Sequence, residues 1–251
     1  MRSIDLNCDV GEGAGHDAAL MRLITSANIA CGAHAGDAAT IRATIALAQQ
    51  HGVAIGAHPG FADRENFGRR ELALSPAEVS ELVLTQVQTM QEAVAGFGAG
   101  LNHVKLHGAL YNMAARDEAL ANAVAEAIRV TNKNPMLFVL AGSKLAQVAR
   151  ANANFLVVSE VFADRTYQRD GSLTPRSRPD ALITDENAAV AQVLRMVRDG
   201  EVRATDGTLV PIVADTVCLH GDGAHAVAFA RRLRAELGAA GIEVKAVSTA
   251  R

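Results

Sequence analysis

The residues able to do acid–base or ligand chemistry fall in seven clusters. Each follows a short apolar run, and all but the sixth are marked by glycine. In order they are Asn7-Cys8-Asp9-Val10-Gly11-Glu12, Cys31-Gly32-Ala33-His34-Ala35-Gly36-Asp37, Gly56-Ala57-His58-Pro59-Gly60, Lys105-Leu106-His107-Gly108, Ala141-Gly142-Ser143-Lys144, Glu160-Val161-Phe162-Ala163-Asp164-Arg165 and His220-Gly221-Asp222-Gly223. Asp9 and Glu12 are carboxylates three residues apart. They can hold a cation, have their pKa values pushed apart for proton transfer, or cap a helix. His34 and Asp37 suit an imidazole oriented by a carboxylate, with helix capping as the alternative for Asp37. His58 ends its run at Pro59-Gly60, where glycine permits close backbone approach to a ligand. Asp63, Arg64, Arg69 and Arg70 follow, and arginines there suit a carboxylate or phosphate. Lys105 and His107 alternate, so they share a strand face. A lysine ending a buried strand needs an ion-pair partner or a substrate anion. Around Arg165, Glu160 and Asp164 suit either a substrate clamp or a structural bridge. Ser143 and Asp222 read as helix N-caps.

Parallel strands must position these clusters. Short apolar runs at Ser3–Cys8, Ala27–Cys31, Ala54–His58, His103–His107, Met136–Leu140, Phe155–Val161 and Thr216–His220 fit strands buried on both faces, and Ile242–Val247 fits a last one. Helical stretches lie between. The clearest is Pro76–Ala95, with Ser75 as N-cap, Pro76 at the first helical position and Glu78 completing a capping box. Val79, Val83, Val87, Met90 and Val94 make its apolar stripe. Alternating strands and helices give right-handed crossovers, in a barrel or an open sheet. The first turn is acidic and lacks the glycine fingerprint of nucleotide-binding open sheets. Chemical residues after nearly every strand favour closure, because loops after barrel strands converge on one face. Two stretches interrupt the pattern, Phe61–Leu74 and Thr166–Thr184, and loops of that length over an active face act as lids. Asp206-Gly207 predicts a hairpin turn from Glu201–Arg203 to Leu209–Val213.

The 251 residues suit one barrel domain over 1–251, and apolar residues make up 49%, enough for a large core. A net charge of −3 points away from nucleic acid, which favours basic surfaces. No run reaches membrane-spanning length, and the N-terminus has no signal-peptide pattern. Three cysteines without a framework pattern fit a reduced, cytoplasmic compartment. Cys31-x-x-His34 is the one pair with zinc-like spacing. There is no P-loop and no serine nucleophile elbow.

Seven of these segments together resemble the LamB/YcsF family, that of bacterial 5-oxoprolinase A subunits. They are Asp5–Glu12, Asn28–Asp37, Gly56–Gly60, Phe67–Arg70, Lys105–Asn112, Glu160–Arg165 and Cys218–Asp222, in order, and the resemblance runs from residue 5 to about residue 245. One departure is Leu106, where the family commonly has proline. The resemblance implies an irregular (β/α)7 TIM-like barrel of the glycoside hydrolase/deacetylase type. It also implies ATP-dependent opening of 5-oxo-L-proline to L-glutamate with subunits B and C, ATP being bound here or elsewhere in the complex. Such chemistry needs a base for water, cations for anions, and donors for an oxyanion. Asp9 or His34 is the expected base, with Glu12 and Asp37 beside them in the catalytic set. Lys105 and Arg69 are expected on anions, and His58, His107 and His220 as donors. Glu160 and Asp164 are expected to orient Arg165, with Asp222 nearby in the substrate-binding set. Two alternatives remain at this stage. One is a metal-dependent amide hydrolase with a divalent ion on Asp9, His34 and His58. The other is a non-catalytic lactam-binding subunit.

Overall fold

The computed structural model describes residues 2–131, 135–152, 154–219 and 226–248. In chain order the strands are β1 (Arg2–Val10), β2 (Ser26–Ala30), β3 (Ala54–His58), β4 (His103–Lys105), β5 (Met136–Leu140), β6 (Leu156–Phe162), β7 (Glu201–Arg203), β8 (Leu209–Pro211), β9 (Thr216–Leu219) and β10 (Ile242–Val244). β1 to β6 pair in sequence, all parallel, and β9 pairs with both β6 and β1. That second pairing closes a seven-stranded barrel. β10 adds in parallel to the start of β1. β7 and β8 form the expected antiparallel hairpin, outside the barrel.

The helices are α1 (Asp17–Leu20), α2 (Ala38–His51), α3 (Pro76–Ala95), α4 (Gly108–Arg116), α5 (Glu118–Thr131), α6 (Lys144–Ala151), α7 (Glu186–Asp199) and α8 (Ala226–Ala239). α3 carries the expected capping box, and Val79, Val83, Val87, Met90 and Val94 are all buried. No helix among the described residues is long and apolar enough to cross a membrane.

β1 shows how the strand sequences build both a core and a site. Ile4, Leu6, Cys8 and Val10 join the main apolar core. The alternating Asp5, Asn7 and Asp9 bond across the barrel instead, to residues of β2, β4, β6 and β9. Period-two alternation therefore separates packing from chemistry on one strand. Met136, Phe138 and Val158, alternate residues of β5 and β6, form a second, smaller apolar cluster.

Strand boundaries shift slightly from expectation. β4 stops at Lys105 because His107 is already the N-cap position of α4. β6 runs on to Phe162, and β10 stops at Val244. The first interrupting stretch forms a 3-10 turn at Arg64–Asn66. The second is tied back by bridges between Arg165 and Leu182 and between Tyr167 and Leu173.

Candidate active site

A charged group lies at the C-terminal ends of the strands. Lys105 Nζ is 2.7 Å from Asp9 Oδ1 and 3.2 Å from Glu160 Oε1. Asn28 donates to Asp9 Oδ1 and to Asn7 Oδ1, each at 2.8 Å. Asn7 donates to Glu160 at 2.9 Å and to Thr216 at 2.8 Å. Tyr111 donates to the other Glu160 oxygen at 2.7 Å. Burial pulls against the charge of Lys105, but Asp9, Cys218 and Glu160 hold its pKa well above the ordinary value. Lys105 thus serves as the shared counter-ion of two carboxylates. Behind Asn28, His103 Nε2 lies 2.8 Å from Asn28 Oδ1, with its ring stacked on Phe138.

Beside this group stand Glu12 and three imidazoles. Glu12 Oε1 is 3.2 Å from His34 Nε2, 3.4 Å from His107 Nδ1 and 3.9 Å from His58 Nε2. His34 and His107 stack face to face, with ring centroids 3.8 Å apart. His58 Nδ1 is 2.8 Å from the Lys105 carbonyl and His107 Nε2 is 2.8 Å from the Phe67 carbonyl. A carbonyl only accepts, so those nitrogens carry the protons. Those N–H groups are thus turned to the backbone. Burial, followed by the neighbouring Asp9, raises Glu12 to about 7. Burial lowers His34 to about 4, and burial with His58 and His34 lowers His107 to about 2. Glu12, His34, His58 and His107 form a cluster able to hold a metal ion.

Local backbone geometry fixes the imidazoles. Phe67 has a φ of 55°, unusual for a non-glycine residue, and its carbonyl receives His107. Gly68 follows at φ 63°, and a Cβ there would sit 2.9 Å from the His34 Cβ. Leu106 occupies the family's proline position and is buried, and the His107 amide donates to the Pro59 carbonyl at 2.8 Å. Packing and one backbone bond thus hold His107 without the ring of a proline.

A cavity of about 890 Å³ opens over these groups. Asp9, His58, Lys105 and His107 lie in its lining, with Arg69, Ser143, Lys144, Arg165, Arg176 and Arg178 further round. Its size is near the top of the ordinary ~300–1,000 Å³ range for ligand sites. Arg69 lies over the Phe67 ring, 5.0 Å from its centroid. Ser143 caps α6, accepting from the Ala146 amide, as its sequence context suggested.

Other expected residues lie elsewhere. Asp37 is exposed and caps α2 by accepting from the Thr40 amide at 2.7 Å, so it does not orient His34. His34 is almost fully buried and absent from the cavity wall, which leaves Asp9 as the base candidate facing the cavity. Arg165 is not oriented by Glu160. It donates to the carbonyls of Thr174 at 2.6 Å and Ala181 at 3.3 Å, pinning the second interrupting stretch. Burial and the nearby Arg176 bring Arg165 down to about 10, with Asp164 pulling the other way. Of the expected metal triad, His34 and His58 fall in the Glu12 cluster, while Asp9 meets Lys105 and Asn28 through Oδ1 and His58 through Oδ2. The Cys31 thiol turns to the Ile29 carbonyl, and all three cysteines are free and buried. His220 and Asp222 lie outside the described residues. Sequence reasoning missed Asn7, Asn28, His103 and Tyr111. The signal for the first three was a polar residue at every second position of otherwise apolar strands.

Comparison with known proteins agrees with this architecture. The 5-oxoprolinase A subunit of Neisseria meningitidis is 53% identical over 98% of this chain and 100% of its own length. That of Bordetella pertussis is 53% identical over 97% of this chain and 98% of its own length. The crystal structure of a lactam utilization protein from Thermus thermophilus superposes with a TM-score of 0.90 at 46% identity, covering 98% of this chain and 100% of that one. A family 4 carbohydrate esterase from Streptomyces lividans shares the fold alone, with a TM-score of 0.51 at 12% identity over 98% of this chain and 93% of that chain. The family model for LamB/YcsF matches residues 4–251, and the chain belongs to the LamB/YcsF family.

Proposed function

We propose that this chain is the ring-opening component of an ATP-dependent 5-oxoprolinase, acting in the cytoplasm with B and C subunits to convert 5-oxo-L-proline to L-glutamate. The observation that carries the proposal is the end-to-end similarity, 53% identity, to relatives named as 5-oxoprolinase A subunits. The site supplies chemistry suited to it. The lactam is an unstrained cyclic amide whose resonance makes its carbonyl a poor electrophile. Phosphoryl transfer from ATP to the amide oxygen activates that carbon. Without a P-loop in this chain, nucleotide handling is assigned to the partner subunits.

Asp9 is the group placed to act on water. Lys105 and Asn28 engage its Oδ1, which leaves Oδ2 beside His58 at 3.2 Å. Asp9 takes a proton as water adds to the activated carbon, then returns it to the ring nitrogen as the C–N bond breaks. The product is glutamyl phosphate, and a second water releases glutamate and phosphate. Arg69, Lys144 and Arg176 on the cavity wall attract the substrate carboxylate and the phosphoryl group.

The test is glutamate release from 5-oxo-L-proline, with and without ATP, by the chain alone and mixed with its B and C partners. Release only in the ATP-containing mixture is expected. No release from any mixture, with assembly confirmed, overturns the proposal. ATP-dependent release from B and C without this chain removes it from the ring-opening role.

A further inference from the structure

We propose that Glu12, His34, His58 and His107 bind one divalent cation of the zinc class. The inference does not depend on the lactam assignment, because it follows from a conflict between two lone pairs. His58 Nδ1 and His107 Nε2 each lie 2.8 Å from a backbone carbonyl. Both must carry a proton there, since a carbonyl can only accept. With each ring carrying that single proton, the opposite nitrogens, His58 Nε2 and His107 Nδ1, present lone pairs, and His58 Nε2 also lies 3.2 Å from Asp9 Oδ2. These two nitrogens face each other at 3.0 Å. Two acceptors at hydrogen-bond distance repel unless something electropositive lies between them.

The surroundings favour a metal ion over a lone proton. Glu12 Oε1 adds an anionic donor 3.4 Å from His107 Nδ1 and 3.2 Å from His34 Nε2. A tetrahedral ion with bonds of 2.0–2.1 Å sets its ligand atoms roughly 3.3 Å apart, and the separations of 3.0, 3.2 and 3.4 Å bracket that value. The same carboxylate oxygen lies 3.9 Å from His58 Nε2, and all four ligand atoms lie within 4.8 Å of one another. Tying the remote imidazole N–H to a backbone carbonyl is the usual way a metal-ligating histidine is held in one tautomer. His34 Nδ1 is buried and has no hydrogen-bond partner among the described residues. Three carboxylates, Asp9, Glu12 and Glu160, meet here against one buried ammonium, Lys105, so a cation also improves the local charge balance. Three imidazoles and one carboxylate suit zinc, cobalt or nickel better than magnesium or calcium. His58 and His107 reach the cavity wall, which gives the ion access to ligand. When bound, such an ion supplies Lewis acidity towards a carbonyl or phosphoryl oxygen.

The test uses tag-free full-length chain, without substrate or partners. Metal content is measured by elemental analysis as purified, and again after chelation, reloading with Zn²⁺ or Co²⁺, and dialysis. About one equivalent per chain is expected, with the visible absorption of tetrahedral Co²⁺ in the cobalt form. Glu12→Gln and His58→Gln should each weaken retention at least ~10-fold, whereas the helix-cap variant Asp37→Asn should retain metal fully. Circular dichroism checks the fold of each variant. Should a variant misfold, the wild-type chain still decides the matter through its thermal midpoint, which should rise with added Zn²⁺ and fall with chelator. Metal retained undiminished in folded Glu12→Gln and His58→Gln overturns the assignment. So does wild-type chain that binds neither ion at millimolar concentration, in which case a proton shared by His58 and His107 is what joins them.

Discussion

Lys105 Nζ sits 2.7 Å from Asp9 Oδ1, so the base candidate and its counter-ion are one part-buried pair joining the first and fourth strands. Glu160 lies on the other side of the same ammonium at 3.2 Å. Removing the charge of Lys105 leaves two carboxylates without it, in surroundings that disfavour their ionised forms. Breaking a buried pair from one side costs about 3–5 kcal/mol. Lys105→Met should therefore lower stability by that order in urea titrations. Asp9→Asn combined with Lys105→Met should cost clearly less than the sum of the two single changes. Additive costs would show that the two side chains are not coupled.

Asp9 near the end of β1 and Asp37 in the loop after β2 both sit in glycine-marked clusters, yet only Asp9 faces the cavity. Asp9→Asn keeps shape and loses basicity, so turnover by the assembled complex should fall more than ~100-fold with the circular dichroism unchanged. Asp37→Ala should leave turnover as it is and produce only a small loss of thermal stability, through the α2 cap. Near-normal turnover in Asp9→Asn would remove it from the base role.

Stability should depend on pH through His103. Burial, with Lys105 nearby, lowers this ring to about 3 from its ordinary 6.5. Between those values the unfolded chain holds the proton and the folded chain does not. The contribution is therefore fully present above pH 6.5 and lost as the pH falls towards 3, at no more than about 1.4 kcal/mol per pH unit. Asp5 works in the opposite sense, because burial raises it: the folded state takes up its proton first, which offsets part of the loss near pH 4. Thermal midpoints from pH 7 to 4 should fall less steeply in His103→Gln than in the natural chain.

His103 has its place because β3 has no side chain opposite it. A Cβ on Gly56 would lie 2.1 Å from His103 Nε2. Gly56→Ala must push the ring away and break its bond to Asn28, costing about 1–3 kcal/mol by overpacking. Adding His103→Ala should recover part of that loss in the same urea titration. No recovery would locate the strain elsewhere.

Arg165 tests the second interrupting stretch. Its guanidinium spans the carbonyls of Thr174 and Ala181, and residues 170–178 of that stretch line the cavity. A lysine keeps the charge but loses the planar fork. Arg165→Lys should raise KM for the lactam more than it lowers kcat. An equal fall in kcat with KM unchanged would argue for a role in the chemistry itself.

Much of this was legible in the residues. The βα alternation and the polar strand ends give the barrel, and Ser75-Pro76 with Glu78 marks the start of α3 to the residue. What the sequence concealed is partnership. Asp37 and Asp9 look alike in the chain, and only the fold shows one on a helix end in solvent and the other against Lys105. Arg165 lies five residues from Glu160, yet Glu160 is held by Asn7, Lys105 and Tyr111 from three other elements. Glu12 was weighed as a partner of Asp9, but it meets His34, His58 and His107. Such pairings arise from loops converging across a closed barrel, and spacing along the chain carries no record of them.

Of the seven barrel strands, β1 is made first and its pairing is completed last. Its neighbours are β2, made next, and β9 and β10, made at the far end of the chain. Until residue 219 has emerged, Asn7 has no Thr216 to meet and one edge of β1 stays open, the kind of unpaired edge that recruits other chains. The floor of the candidate site is thus assembled only after β9 has been made. A nascent or truncated chain ending before β9 carries Asp9, Lys105 and Glu160 without the strand that brings the first and sixth strands together, so quality control of this barrel is in effect a check on β9.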